Sequence, residues 1–182
     1  MDRLEAFLRQ ELGAHSFDLP EQAARRLALP LAVVEKRIRE LVQQGEFEER
    51  TSASQRELVW KPVLRAGLAM GLQEDRIWRE SVAPRLAGCP ENVLRILHYA
   101  TTEMLNNVFD HSGAQEVVIV VRRLSEEVEI DVEDDGIGIF NKLQRDRGLE
   151  DARHVALELS KGKLTTDPSA HTGEGIFFTS RM

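Results

Sequence analysis

Hydrophobic residues recur at helical spacing three times in the first third of the chain. Residues three and four positions apart share one face of a helix, so each recurrence predicts a helix with one buried side. The predicted helices span residues 2–12, 21–28 and 31–44. Two short alternating runs come next, at 47–50 and 57–60 on either side of a polar tip, and predict a β-hairpin.

The rest of the chain mixes helical and extended patterns. The hydrophobic pattern of residues 63–86 predicts one helix, and the pattern that follows predicts a second helix from about residue 90 to 111. The β-branched run at 116–122 and the alternating run at 127–134 predict two strands. These elements predict an α+β fold, with a second domain over residues 63–182.

Composition is that of an ordinary globular protein. The chain has 182 residues, a net charge of −7, 42% hydrophobic residues and 30% charged residues. Cys89 is the single cysteine, so no disulfide can form within the chain, and a reducing cytoplasm is the expected compartment. No apolar run approaches the roughly 18 residues of a membrane span, and the charged first helix is unlike a signal peptide. We therefore expect no membrane partner.

Three helices followed by a hairpin resemble a winged helix-turn-helix domain, here over residues 1–62 with the third helix in the recognition position. The charges of this domain do not determine whether its partner is DNA or protein. This part of the chain has ten Lys or Arg and eleven Asp or Glu, a net charge of 10 − 11 = −1. Five basic residues could form a DNA-binding face within residues 21–60, namely Arg25, Arg26, Lys36, Arg37 and Arg39. Because Glu35 and Glu40 interrupt this face, a module that contacts protein is an equal alternative.

Polar residues form a stripe on an otherwise apolar helix. Asn107, Asp110 and His111 lie four, seven and eight residues after Glu103, which places all four on one helical face. Burying such groups is costly unless they find partners. The stripe therefore predicts a face that meets a polar ligand.

Two pairs of alternating glycines are further candidate binding elements. Asp134 ends a predicted strand, whose alternation points its carboxylate inward, and Gly136 and Gly138 come directly after it. An inward carboxylate beside glycine backbone suits a flat ring with an amino group, such as adenine. Taken alone, however, this motif favours a tight turn with a capping aspartate. Gly173 and Gly175 precede an apolar run, where backbone N–H groups can bind phosphate.

A long polar segment separates the two glycine pairs. Residues 141–172 contain one predicted helix, at 149–160, and a loop. Connections of this length in a compact domain are often lids over ligands. The sequence contains neither a P-loop nor a complete dinucleotide-binding fingerprint.

Together these elements resemble a known family. The order is E-x-x-x-N on a helix, D-x-G-x-G after a strand, a lid, and G-x-G. It resembles the GHKL family of ATPases and kinases, which includes gyrase, histidine kinases and MutL. The segments "TEMLNNVFDHS" and "DDGIGIF" are most similar to histidine-kinase-like ATPases and anti-sigma-factor serine kinases. The resemblance covers residues 63–182 and implies the Bergerat nucleotide-binding fold, a two-layer α/β sandwich.

The resemblance implies a role for each motif residue. Glu103 would act as the base on a water or a protein hydroxyl, and Asn107 would be a ligand of Mg²⁺. Asp134 would accept a hydrogen bond from the adenine amino group. Gly136 and Gly138 would let the adenine ring lie against the backbone. ATP and Mg²⁺ are therefore the implied ligands.

Four further residues are implied in or near the nucleotide site. Thr172, Gly173 and Gly175 would hold the phosphates, and Asp110 would form part of the pocket floor. His111 lies at the end of the helix, and the motif implies no role for it.

The chain departs from the family pattern in two ways. The family sheet continues beyond the second glycine pair, whereas this chain reaches Met182 seven residues after Gly175, so we expect the last strands to be missing. His15 and His98 do not lie in the H-E-x-x-x-P setting of a phosphoacceptor helix. A conventional sensor histidine kinase is therefore not expected.

Three functions fit this sequence. The first is a Mg-ATP-binding module of bacterial signalling that hydrolyses ATP or phosphorylates a partner protein on Ser or Thr. The second is a DNA-binding transcriptional regulator that senses nucleotide without turnover. The third is an interaction protein with a degenerate pocket. Glu103 is the residue that distinguishes the first two functions, because a nucleotide sensor without turnover needs no catalytic base.

Overall fold

The computed structural model describes residues 2–13, 17–52, 55–124, 127–138, 141–142 and 144–145. The chain forms two compact units. The first comprises Met1–Val63 with Val120–Asp131, and the second comprises Leu64–Ile119 with Val132–Met182. Helices and antiparallel sheets are both present, so the α+β class is confirmed. The predicted division into domains 1–62 and 63–182 stays a prediction.

The first unit begins with three helices and a hairpin. These elements are α1 Arg3–Glu11, α2 Leu19–Leu27, α3 Leu31–Gln43, β1 Phe47–Ser52 and β2 Gln55–Trp60. The two strands are antiparallel, with Phe47 opposite Trp60. The rings of these two residues meet edge to face, with centroids 4.9 Å apart. All five predicted elements are confirmed in type and order, whereas the winged-helix assignment stays a prediction.

The helical periodicity produces one hydrophobic core in this unit. Ten buried residues from the helices and both strands form it, namely Leu4, Leu8, Leu12, Leu19, Ala23, Val34, Ile38, Leu41, Phe47 and Leu58. At the start of α1, the Asp2 carboxylate accepts a hydrogen bond from the Glu5 N–H at 2.7 Å and caps the helix. For α1, local capping and the buried face therefore agree on where the helix begins.

Ion pairs connect the helices of the first unit. Arg37 of α3 pairs with Glu5 of α1 and donates to Glu40 at 2.9 Å. Arg9 also pairs with Glu5, at 2.9 Å, and donates to the Arg123 carbonyl at 3.3 Å. Burial acts to raise the pKa of Glu5, but hydrogen bonds from Arg37 and Arg9 outweigh it and hold that pKa below its ordinary value.

The single helix predicted over residues 63–86 is wrong. Leu64–Gly67 is instead strand β3, which is antiparallel to β4 and places Leu64 opposite Ile119. A 3₁₀ turn comes next at Leu68–Met70, then the short helix α4 at Glu74–Ile77, a π-helical stretch at Trp78–Val82 and another 3₁₀ turn at Ala83–Leu86. Pairing with a strand about fifty residues away overrides local helical periodicity.

The helix that carries the polar stripe is confirmed, with one unexpected feature. Helix α5 spans Glu91–Asn107 and directly follows Pro90. It continues as a wider π-helical turn over Val108–Ser112 and ends at Gly113, whose φ is 67°. A left-handed residue is a common helix stop, and glycine adopts it without strain.

A three-stranded sheet contains both strands that come after α5. Strand β4, Glu116–Arg123, lies between β3 and β5, Val128–Asp134. In β5 the hydrophobic residues are half-buried and Glu129 and Glu133 are exposed, as the alternation predicted, but Asp131 is half-buried as well. Asp134 is exposed, however, so the prediction that its carboxylate is buried is wrong. It is the last residue of the strand, where alternation no longer determines burial. In the part of the chain that the structure describes, no helix has both the length and the apolar character of a membrane span.

Candidate functional site

Glu103 and Asn107 lie near the end of α5. Both side chains are half-buried, whereas Thr101 and Leu105 on the opposite side of the helix are buried. Among the residues that the structure describes, neither the Glu103 nor the Asn107 side chain has a hydrogen-bond partner. A carboxylate and an amide one turn apart, with no side-chain partner among the described residues, can act on a ligand.

The π-helical turn after Asn107 alters the positions of the last two stripe residues. Asp110 is exposed and His111 is half-buried, so the predicted stripe is not uniformly buried. A π turn takes more residues per turn than an α-helix, so it moves these two residues relative to Asn107. Such turns occur often at functional sites.

Ser112 closes the end of this helix. The buried Ser112 hydroxyl donates to the Val108 carbonyl at 2.8 Å and accepts from the Ala114 N–H at 3.0 Å. Its carbonyl accepts from the Ile137 N–H at 3.0 Å. Ser112 therefore joins the helix end to the loop after β5.

The two glycines of that loop have different roles. A Cβ atom on Gly136 would lie 2.4 Å from the Ser112 carbonyl oxygen, so only glycine fits between this loop and the helix end. Gly138 has open space around it but adopts a φ of 76°, which glycine accommodates best. The prediction assigned both glycines to ligand contact, whereas Gly136 is required by the contact with Ser112.

Asp134 caps the start of the loop. Its Oδ1 atom accepts from the Gly136 N–H at 2.8 Å, which is the turn-capping arrangement that the sequence left open. A carboxylate has further lone pairs, so the contact leaves acceptor capacity for a ligand amino group. The adenine-binding role of Asp134 stays a prediction.

Asp135 is a structural residue that the sequence motifs did not single out. Its Oδ1 atom accepts from the N–H groups of Gln115 and Glu116, at 2.7 and 2.9 Å, where β4 begins. The Glu116 N–H and then the Gln115 N–H hold the pKa of this carboxyl below its ordinary value. Nothing in the local sequence separates Asp135 from Asp134, because the difference depends on residues twenty positions earlier.

The structure thus brings two predicted elements together. The loop with Asp134, Gly136 and Gly138 is hydrogen-bonded to Ser112, five residues after Asn107 on the same helical segment. The predicted phosphate-binding residues, Thr172, Gly173 and Gly175, lie outside the described residues. The predicted lid, residues 141–172, is described only at 141–142 and 144–145.

The residues present fit a nucleotide with Mg²⁺. No cluster of three or more His, Cys, Asp or Glu able to hold a metal occurs among the described residues. Mg²⁺ is usually bound by one or two protein oxygens together with substrate phosphates and waters. The Asn107 amide, for which the described part of the chain offers no hydrogen-bond partner, suits that arrangement.

An α+β fold with this helix end and glycine loop defines a candidate nucleotide-binding domain. The model of the family described as "Histidine kinase-like ATPase domain" matches residues 72–182, which is more than half of the chain. The chain belongs to this family, and the resemblance to GHKL ATPases is confirmed. No curated protein and no solved structure gives a significant match to the chain.

Proposed function

We propose that the protein binds ATP with Mg²⁺ at the end of α5 and uses it for hydrolysis or for phosphoryl transfer to a partner protein. The observation that supports this most directly is the contact between two motif elements of the matched family. Helix α5, which carries Glu103 and Asn107, is joined through Ser112 to the loop that contains Asp134.

Each residue has a role that agrees with its position. Asp134, beside the close backbone of Gly136, accepts a hydrogen bond from the adenine amino group. Asn107 supplies an amide oxygen to Mg²⁺, which neutralises phosphate charge when bound. Glu103, one turn earlier on the same helix, orients or deprotonates the attacking water or hydroxyl.

The adenine assignment is tested by Asp134→Asn. The amide retains an oxygen that can accept from the Gly136 N–H, so the loop should fold, but it loses the charged acceptor for adenine. A hydrogen bond to a charged group contributes about 1.5–3 kcal/mol, so ATP affinity should fall about tenfold or more in titration calorimetry. The matched control is Glu133→Gln, which changes the exposed neighbouring carboxylate. Equal ATP affinity in the parent and Asp134→Asn would refute the assignment.

Turnover is tested by Glu103→Gln, which keeps the shape of the side chain and removes the base. General-base assistance contributes about 10²–10⁴-fold in rate, so phosphate release or transfer should fall by that order while ATP affinity stays near that of the parent. Glu91→Gln, an exposed change in the first turn of the same helix, is the control. A parent-like rate in Glu103→Gln would exclude Glu103 as the base.

A second function, a DNA-binding nucleotide sensor, is supported by the order of three helices and a hairpin in the first unit. Its basic residues are largely paired with acids, since Arg37 contacts Glu5 and Glu40 and Arg39 lies 3.9 Å from Glu35. This charge balance favours a protein partner. Salt-sensitive binding to duplex DNA, with no turnover in the parent, would favour the sensor instead.

A further inference from the structure

The loop after β5 is held at two places, both within the second unit. At one place, the Asp135 Oδ1 atom accepts hydrogen bonds from the N–H groups of Gln115 and Glu116, at 2.7 and 2.9 Å. At the other, the Ile137 N–H donates to the Ser112 carbonyl at 3.0 Å. The loop is therefore fixed both to the end of the helical segment and to the start of β4. These contacts together are called the joint below.

The joint leaves the loop little freedom to move. A Cβ atom on Gly136 would lie 2.4 Å from the Ser112 carbonyl oxygen, so the loop already lies against the helix end. The start of β4 is fixed in turn, because the Gln115 carbonyl accepts from the Leu68 N–H at 2.9 Å, directly after β3. Close packing thus prevents a nearer approach of the loop, and the hydrogen bonds oppose its departure.

The joint lies between the two ends of the proposed nucleotide site. Asn107, at the metal end, is followed directly by the π-helical turn that ends at Ser112, so both belong to one continuous helical segment. Asp134, at the base end, directly precedes Asp135 in the chain. The joint therefore determines where the base end lies relative to the metal end.

A fixed separation matters only to a ligand that contacts both ends. Such a ligand binds more tightly when the two ends are already in position, because less conformational freedom is lost on binding. A ligand that contacts one end gains nothing from the position of the other. Asp135 is the member of the joint that a substitution can test, since the bond between Ile137 and Ser112 joins two backbone groups.

We propose that Asp135 is a positioning residue that holds the base end and the metal end of the site at a fixed separation. The site thereby favours a ligand that spans both ends over one that contacts the base end alone. This inference rests on the proposed ATP function and deepens it. Asp135 does not contact the ligand but acts through the loop that carries Asp134.

The test compares Mg-ATP, which spans both ends, with adenosine, which contacts only the base end, in the full 182-residue chain. Asp135→Ala removes both hydrogen bonds of the side chain, and Asp135→Asn retains an oxygen that can accept them. Asp135→Ser is a milder truncation, measured in the same way, for use if Asp135→Ala does not fold. Calorimetry gives the affinity for Mg-ATP, and ligand-observed NMR gives the affinity for adenosine.

Two control variants separate the positioning role from other effects. Glu133→Ala truncates an exposed carboxylate two residues earlier in the chain. Val117→Ala truncates a buried side chain of β4 and removes no hydrogen bond of the joint, so it reports the effect of lost stability alone. Circular dichroism establishes that each variant is folded at the temperature of the binding measurements.

We expect Asp135→Ala to weaken Mg-ATP binding about tenfold and to leave adenosine binding within about threefold of the parent. Asp135→Asn should restore the affinity for Mg-ATP to within about threefold of the parent, because its oxygen can accept from the same N–H groups. Glu133→Ala and Val117→Ala should bind both ligands as the parent does, although Val117→Ala should lower the free energy of unfolding.

Several results would overturn the assignment. Unchanged Mg-ATP affinity in Asp135→Ala would show that Asp135 does not position the site, and would leave the ATP function intact. Equal losses for Mg-ATP and adenosine, or an equal loss in Val117→Ala, would show a structural effect instead. Binding of Mg-ATP but not of adenosine by the parent would contradict two independent ends. Binding of neither ligand by the parent would refute the proposed function itself.

Discussion

Gly136 and Gly138 stand two residues apart in one loop, yet they are glycines for different physical reasons. Position 136 lacks space for a side chain, because the Ser112 backbone lies where a Cβ atom would be. Position 138 has open space around it, but its positive φ is a backbone conformation that residues with a side chain rarely adopt. Different substitutions should therefore be tolerated at the two positions.

Gly136→Ala should lower the free energy of unfolding by about 1–3 kcal/mol, the usual cost of forcing extra atoms into a packed position. The Cβ would meet backbone atoms, so the hydrogen bond between Ile137 and Ser112 should be lost as the loop shifts. Gly138→Asn is the control, because asparagine tolerates left-handed backbone better than other residues with a side chain. Urea unfolding measures both, and an equal effect at the two positions would contradict this explanation.

The pKa of Asp135 predicts a pH dependence of stability. Its folded pKa lies below the ordinary value of 3.8, because the carboxylate accepts two backbone hydrogen bonds. The stabilisation is therefore fully present above the unfolded pKa and is lost as the pH falls through the lower, folded value. The parent should lose stability below about pH 5 more steeply than Asp135→Asn, measured by urea unfolding at several pH values. If Asp135→Asn and the exposed control Glu133→Gln give the same pH profile as the parent, the carboxylate does not hold β4.

At the scale of elements, α1 and α3 share a partly buried charge network. Glu5 on α1 meets two arginines, Arg37 from α3 and Arg9 from α1 itself. The side chains of Glu5 and Arg9 are only 13% and 11% exposed, so their charges depend on each other more than surface pairs do. Arg37 thereby serves the packing of α1 against α3 rather than an outward basic face.

Glu5→Gln should destabilise the first unit by about 1–3 kcal/mol, since it leaves two guanidinium groups with weaker acceptors. Glu35→Gln removes an exposed pair within α3, between groups 3.9 Å apart, and should cost less than about 0.5 kcal/mol. Thermal or urea unfolding distinguishes them, followed by tryptophan fluorescence with Trp78 replaced by Phe in every variant, so that Trp60 of the first unit is the reporter. Similar losses in both variants would mean that the network contributes no more than a surface pair.

At the scale of the whole molecule, charge is distributed unevenly between the predicted domains. Residues 1–62 have a net charge of −1, and the remainder has (24 − 10) − (31 − 11) = −6. The parts of the second unit that carry the candidate site, residues 103–119 and 132–138, contain six Asp or Glu and no Lys or Arg. This excess of negative charge favours a metal cation beside a bound nucleotide. The same charge disfavours nonspecific contact with nucleic acid.

Local patterns in the sequence determined most of the element types. Helical periodicity predicted α1, α2, α3 and α5, and alternating or β-branched runs predicted β1, β2, β4 and β5, because each signal depends on residues only a few positions apart. The motifs that indicated the ATPase family are likewise short and local, and the family match confirms that resemblance. Glu103 and Asn107 could be selected in this way because both lie on one regular helix.

Only the tertiary structure decided the features that depend on distant pairs. The strand at Leu64–Gly67 exists because β4 lies beside it, and the sequence around it predicted a helix instead. Asp135 holds the start of β4, Gly136 fits against Ser112, and Lys142 reaches Asp110 across about thirty residues of chain. A hydrogen bond or a steric limit between such residues leaves no periodic signal, since it arises only when the chain has folded.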